Sequence, residues 1–568
     1  MLTKIKSKIA PHILSAVAPL IQNSDDLISL LETPKKLDHG ELALPVFSWA
    51  KELRKAPPVI ALEFAQKIND KKIDILESVT PVGGYINFVF KTSFLQNILS
   101  EATARKNIGY NEVLKNETVI IDYSSPNVAK PMSVGHLRAT VIGQAIRNLA
   151  ESQGYKVLGL NHLGDWGIQF GKLAWAYENW GKEYEFEEKP FDSLYQIYVR
   201  FHEEAEENPD LNKKGAEYFQ RLEAGDEDVE KIWRYFLDVS LKEYDRIYKM
   251  LGIKFDLTQG ESFYNDLLEP TVERIKKAGI LEESQGAQVV FVGDDLPPCI
   301  IKKSDGSSLY ATRDLASAMY RHEVLKGQHI LYVVGVDQNL HFKQVFRVLE
   351  RMGFDWAKNC HHIAFGMYGF KDIGKMSTRK GNVIFMDDVL EKAIEMVRQV
   401  IEQKNPDLEN KELVAKQVGI GAIIFNDLMN DRIKNVDFDW TRVLDFEGDS
   451  GPYVQYGQVR CNSLIKKYGK EINREFEVEL TSNEERNLIK TLLNYDEVLS
   501  NAYRTYRPNV VTQFLLDVCR AFNHFYQKQK ILTGDPALLK SRMTLVLNTR
   551  DVLVAGLKIL GIESPEVM

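Results

Sequence analysis

The stretch that limits the fold most begins at TVIIDY (Thr118 to Tyr123). This apolar run passes into a loop, SSPNVAKPMSVGHLR (124–138), which opens directly into a helical pattern running to about 153. Gly154 stops that helix, and a second apolar run occupies 156–161. Strand, crossover helix and strand predict a parallel pair, and a parallel sheet needs helices on its faces. HILYVVGV (329–336), followed by HFKQVFRVLERMG (341–353), predicts another such unit. Between the two lies a largely helical insertion, roughly 185–285, whose segment 201–230 holds eleven Asp/Glu against three Lys/Arg. Such a segment is expected to be a solvated face turned away from any polyanion.

At 568 residues the chain is too long for one core. Three domains are expected: 1–112, 113–445 and 446–568. The first combines helical patterns at 3–20 and 56–69 with VGGYINFVF (82–90), a Gly-Gly turn feeding a strand, and a helix at 95–107. After about 410 strand signals thin out, and apolar periodicity predicts helices at 411–430, 452–468, 484–503, 508–531 and 537–560. This predicts an all-α C-terminal module joined near EGDSGPYVQYGQ (447–458). Its Tyr503, Arg504, Tyr506 and Arg507 could stack on bases or pack the edge of a bundle.

A net charge of −8 argues against wholesale coating of nucleic acid, though not against a local RNA surface. No apolar run is long enough to span a membrane. MLTKIKSKIAPHILSAVAPL reads as an amphipathic helix without a signal-peptide core, so a cytoplasmic location is expected. Cys299, Cys360, Cys461 and Cys519 form no C-x-x-C pair. Cys360-His361-His362 is read as a buried thiol beside strand-edge histidines, and no metal site is expected.

A helix start presents unpaired N–H groups and a positive dipole end, which suits an anion. Gly135 would let a phosphate approach the backbone, and His136 in the first turn can donate to it. Ligands in open α/β sheets bind at the carboxyl ends of strands, where this loop lies. Alone, Gly-His merely starts a helix. GKMSTRKGNVIFMDDVL (374–390) gathers Lys375, Arg379 and Lys380 among small residues, which suits a triphosphate whose charge must be neutralised as diphosphate leaves. Alone, it is a solvated basic loop.

Together, an x-x-G-H loop opening the first helix of a parallel sheet and a later K-M-S loop resemble the two signatures of class I aminoacyl-tRNA synthetases. SSPNVAKPMSVGHLRATVIG, NHLGDWGIQFG (161–171), SLYATRDLAS (308–317), KMSTRKG and GPYVQYGQVR (451–460) narrow the resemblance to the arginyl-tRNA synthetase family, over essentially the whole chain. The resemblance implies a multidomain α/β protein with a Rossmann-type parallel-sheet catalytic domain. It adds a small N-terminal α+β domain touching the tRNA elbow and an all-α C-terminal anticodon-binding domain. It implies a monomer acting on L-arginine, ATP with Mg2+, and tRNA(Arg). Ser133, Gly135, His136, Lys375, Met376 and Ser377 would meet ATP, with Lys130, His136, Lys375, Arg379 and Lys380 serving catalysis. A guanidinium is a charged fork of five donors that wants carboxylates. Asp314 is therefore expected to hold it, with Tyr310 one helical turn earlier, Asp122 as a second anion and Gln338 alongside. Asn127 would bind the backbone end of arginine. The magnesium is expected to sit on phosphates and water rather than on a protein cage.

Two positions depart from the general class I pattern. Ser133 stands where a first histidine is common, and Thr378 where a second lysine is common; the latter is usual in the arginyl branch. Lys130 is expected to supply the charge that Ser133 cannot. Ser133 also leaves room for a weakened relative that keeps the scaffold to bind RNA, and an acidic pocket alone would also admit a lysine enzyme.

Overall fold

The computed structural model describes residues 1–18, 20–34, 39–105, 107–111, 115–304, 310–370 and 384–568. By contact the chain divides into two compact units: 1–111 with 408–410 and 445–568, and 112–407 with 411–444.

In the first unit both ends of the chain fold together. Strands Leu42–Pro45, Tyr85–Phe90 and Leu76–Val82 form an antiparallel sheet in that spatial order. Its hairpin turns at Gly83 (φ +56°) and Gly84, where a Cβ would lie 2.5 Å from the Phe47 ring. Glu41, buried at the sheet, accepts the Phe90 N–H (2.8 Å) and pairs with Arg486 (3.1 Å) and Lys490 (2.8 Å) of helix Asn483–Leu493. The expected helix 484–503 is two, Asn483–Leu493 and Tyr495–Thr505. Asn494 parts them, its side-chain amide donating to the Lys490 carbonyl (3.1 Å). Helices Gly451–Tyr468, Asn509–Lys528 and Pro536–Ile559 complete the bundle.

The second unit is built on a five-stranded parallel sheet in the order Cys360–His362, His329–Tyr332, Thr118–Asp122, Lys156–Asn161, Leu257–Thr258. From the central strand the chain first adds strands on one side and later returns to add two on the other. The point of reversal therefore lies between Thr118–Asp122 and His329–Tyr332, the place where open α/β sheets bind ligands. Val119, Ile120 and Ile121 are fully buried, as are Leu137, Ala145, Ile146 and Leu149 of helix Val134–Ser152. Each such Ile or Leu contributes about 1.5–3 kcal/mol on burial, enough to hold the helix on the sheet. A Cβ at Gly143 would fall 2.3 Å from Tyr123, so glycine lets the helix lie directly on the end of the central strand.

The insertion contributes helices Pro190–Glu207, Asp210–Glu223 and Glu227–Leu251. It is followed by an antiparallel sheet of Glu282–Ser284, Ala287–Val290 and Cys299–Lys302, which the sequence reading did not anticipate. Helix Lys411–Leu428 belongs to the second unit. No described helix is long and apolar enough to cross a membrane.

Candidate active site

The loop between the central strand and helix Val134–Ser152 is strained and held from several sides. Ser124, Ser125 and Ala129 all have positive φ (74°, 50° and 66°), a conformation non-glycine residues adopt at a cost. Ser124 Oγ lies 2.8 Å from the Tyr248 hydroxyl and accepts from Thr140 (2.7 Å). The Ser125 N–H donates to Asn161 Oδ1 (3.2 Å), and the Ala129 N–H to Ser240 Oγ (3.0 Å). The Tyr244 hydroxyl reaches the carbonyls of Asn127 (2.6 Å) and Lys130 (2.8 Å). Ser240, Tyr244 and Tyr248 all lie on Glu227–Leu251, so this insertion helix braces the loop from behind.

Ser133 is the N-cap of Val134–Ser152, a position serine favours. Its N–H donates to His136 Nδ1 (3.0 Å), and its hydroxyl lies 3.1 Å from the same nitrogen. Because Nδ1 accepts, the proton of the neutral ring sits on Nε2. Burial, and next the charge of Lys130, push the His136 imidazole down to about 4, so at neutral pH it is an uncharged donor. The Lys130 ammonium stands 4.8 Å over the Tyr198 ring. A Cβ at Gly135 would meet nothing nearer than Ser133 Oγ at 3.4 Å. Among the described residues no neighbour requires glycine there, although a helical glycine costs about 0.5–1 kcal/mol relative to alanine.

Lys375, Met376, Ser377, Thr378, Arg379 and Lys380 lie outside the described residues. The segments on either side of them are placed. The Val134 N–H donates to the Ile384 carbonyl (3.2 Å), the Met386 N–H to that of Met132 (2.8 Å), and Ser133 bridges to Phe385. On the other side, Tyr368–Phe370 pairs in parallel with Val436–Phe438. Arg138 is buried on the signature helix and donates to the carbonyls of Gly366 (2.9 Å), Lys434 (2.9 Å) and Arg432 (3.3 Å), while pairing with buried Asp427 (3.2 Å). The helix bearing His136 is thereby tied to both approaches of the K-M-S segment.

An acidic cluster lies at the carboxyl end of the sheet. Asp122 ends the central strand, pairs with fully buried Arg321 (2.8 Å) and accepts from the Ser125 hydroxyl (2.9 Å). Asp122, expected as a second anion beside the guanidinium, thus already has a cation within the chain, supplied seven residues beyond Asp314 on the same helix. Asp314 has a different neighbour: its Oδ2 accepts from His341 Nε2, and both side chains are about one-fifth exposed. Burial lowers the basicity of His162, against the pull of Asp122, Asp314 and Asp165. Burial likewise pushes the Glu261 carboxyl up to about 7, with Arg313 opposing. Asp165 accepts both the N–H and the hydroxyl of Ser262 (2.8 and 2.6 Å).

Asn127 is exposed, and a Cβ on Gly164 would collide with its Oδ1 at 2.2 Å. Tyr310 opens helix Tyr310–Glu323 at 66% exposure, one turn before Asp314. Gln338 is exposed at the N-cap of helix Asn339–Arg351, which carries His341. Among the described residues neither Tyr310 nor Gln338 hydrogen-bonds to Asp314. Sequence reasoning missed Arg321, His341, His162, Arg138 and Asp427. Only Arg321, two turns from Asp314 on one helix face, left a spacing signal.

Three family models cover nearly the whole chain: an arginyl tRNA synthetase N-terminal domain at 3–90, a class I (R) tRNA synthetase catalytic domain at 95–440, and a DALR anticodon binding domain at 454–568. The chain belongs to the arginyl-tRNA synthetases. Within this family of class I aminoacyl-tRNA ligases, it is 46% identical to the arginine–tRNA ligase of Clostridium perfringens (strain 13 / Type A), over 96% of this chain and 97% of that one. It is 44% identical to the arginine–tRNA ligase of Clostridium beijerinckii (strain ATCC 51743 / NCIMB 8052), over 99% and 100%. The solved arginyl-tRNA synthetase of Thermus thermophilus superposes with a TM-score of 0.86 at 27% identity, covering 100% of both chains.

Proposed function

We propose that this chain joins L-arginine to tRNA(Arg) at the expense of ATP, selecting arginine at Asp314 and holding the ATP phosphates at the start of helix Val134–Ser152. As an arginine–tRNA ligase it runs two displacements. An arginine carboxylate oxygen attacks the α-phosphate of ATP, forming arginyl-adenylate and releasing diphosphate. A ribose hydroxyl at the tRNA 3′ end then attacks the adenylate carbonyl, releasing AMP. Neither displacement needs a protein nucleophile; the chain contributes placement and charge neutralisation.

The geometry described above supports the following assignment of roles. Asn127, exposed on the braced loop, receives the backbone end of arginine. Tyr310 and Gln338 border the guanidinium, and Asp122 backs the pocket with its charge already met by Arg321. The His136 Nε2–H donates to phosphate as a neutral group, the open face of Gly135 admits the phosphate, and Ser133 orients the imidazole. Lys130 carries the charge that Ser133 lacks, and Lys375, Met376, Ser377, Arg379 and Lys380 are assigned to the nucleotide on their match to the K-M-S signature alone. Lys130, Ser133 and His136 offer donors and one cation but no carboxylate. That donor set fits a phosphate, with magnesium arriving on the nucleotide and held by phosphate and water.

Docking of tRNA is assigned to the first unit, its sheet at the elbow and its helices at the anticodon. Half-exposed Tyr456 and Tyr526 flank Arg460 at 4.9 and 5.1 Å, a stacking surface that supports base contact better than Tyr503 and Tyr506, which pack edge to face against each other. The domain limits 1–112, 113–445 and 446–568, a monomeric state and a cytoplasmic location are part of this proposal. The four cysteines are all free and buried, which accords with a reducing compartment.

The observation that carries the assignment is Asp314, a partly buried carboxylate at the ligand-binding edge whose partner is a histidine rather than a guanidinium or ammonium. Truncating one side of a desolvated charge pair costs about 2–5 kcal/mol. Asp314→Ala is therefore expected to raise KM for arginine roughly 30-fold or more, with KM for ATP nearly unchanged. Equal losses for both substrates would overturn Asp314 as the selector.

A further inference from the structure

We propose that His341 is a positioning residue that sets the Asp314 carboxylate for the substrate's guanidinium, anchoring Oδ2 and leaving Oδ1 toward the pocket. The inference rests on Asp314 being the carboxylate that meets arginine.

The helix that carries Asp314 is held by other contacts. Thr312 is fully buried and donates to the Ile301 carbonyl (2.5 Å), Leu315 is fully buried, and Arg321 ties the far end of the helix to Asp122. What stays free is rotation of the carboxylate itself, whose terminal torsion is broad and nearly two-fold. An unanchored carboxylate would have to lose that freedom when a planar guanidinium approaches it.

His341 removes the freedom beforehand. It lies in the first turn of Asn339–Arg351, and the adjacent Phe342 is buried against Ile330, Tyr332 and Cys360, so its backbone is set by the core. An ionised carboxylate can only accept, so the His341 Nε2 facing Oδ2 carries the proton. Among the described residues Oδ1 has no hydrogen-bond partner. One oxygen is thus held and the other is left to a ligand, on a carboxylate at the sheet's point of reversal. The strand His329–Tyr332 supplies the backbone that leads to His341, while the neighbouring helix supplies Asp314, so the pair couples two elements that border the site.

The test uses the full chain with a tRNA(Arg) transcript and three variants: His341→Leu, His341→Gln and Asp314→Asn. The glutamine amide reaches about as far as Nε2 and can donate to Oδ2, but it lacks the ring. His341→Leu is expected to raise KM for arginine at least tenfold while leaving kcat and KM for ATP within about threefold. His341→Gln is expected to stay within about threefold of wild type in all three. If Asp314→Asn raises KM for arginine and His341→Leu does not, the positioning role is wrong and the pocket assignment stands. An unchanged KM in Asp314→Asn would remove the pocket assignment itself. Equal failure of both His341 variants would show that the ring matters for packing, and a lower KM in His341→Leu would show that the imidazole occupies the substrate's place; either result overturns the proposal.

Discussion

Replacing Arg138 by methionine tests how the two signature segments are joined. Its guanidinium is 1% exposed, pairs with fully buried Asp427 and satisfies three backbone carbonyls. Arg138→Met leaves Asp427 buried without its cation, for which about 3–5 kcal/mol is expected. In a unit of this size that corresponds to a fall in Tm of roughly 4–7 °C. Burial already holds the Asp427 carboxyl above its usual range, with Arg138 opposing. Without Arg138 the native state holds that proton more tightly still, while the unfolded chain releases it near pH 4. The native state then binds more protons than the unfolded one, so the variant loses stability as pH rises and its deficit should be smaller at pH 5.5 than at pH 8. Arg138→Met/Asp427→Leu removes the orphaned charge and should recover more than half of the lost Tm. Differential scanning calorimetry at the two pH values reads all of this. A deficit that grows toward acid, or a double variant no better than the single, would refute the reasoning.

If His136 serves the reaction as a neutral Nε2–H donor, as proposed, His136→Gln should keep most of the rate of arginine activation, while His136→Ala loses about 10²–10³-fold; equal losses measured by diphosphate exchange would point to a charged histidine. Lys130→Ala should lower kcat for activation at least tenfold with KM for arginine little changed, and unchanged turnover would remove Lys130 as the counterpart of Ser133. Gly135→Ala should fold normally, since among the described residues the added methyl meets only Ser133 Oγ. It should nevertheless raise KM for ATP several-fold, and an unaltered KM would show that no phosphate passes over that face.

The three middle strands of the parallel sheet were legible because they are short apolar runs followed by helices with clear stops, whereas Leu257–Thr258, two residues long, was hidden in the insertion. TVIIDY, Gly154 and the run at 156–161 needed no information from elsewhere in the chain. The antiparallel sheet after Glu282 was not legible, since strands of three and four residues carry too few positions to show a period. The break at Asn494 was hidden because both flanking helices keep their apolar spacing across it. At the site, Asp314 and His136 stood inside recognisable motifs. Arg138 also did, yet an arginine in the second turn of a helix reads as solvent-facing, and its acceptors lie more than two hundred residues downstream. Ser133 read as a deficit, whereas its local duty is to cap a helix and hold the His136 tautomer. The pairing of Asp122 with Arg321 depends on the helix crossing the strand end, which no local pattern encodes.

The central claim is that arginine is chosen by its charge and shape at Asp314. Charging of a tRNA(Arg) transcript by the wild-type chain with arginine, lysine and citrulline tests it most directly, since citrulline keeps the shape of arginine without the charge and lysine keeps a charge without the planar fork. The account predicts ATP-dependent charging with arginine alone. Charging of citrulline or lysine at a comparable rate would contradict it.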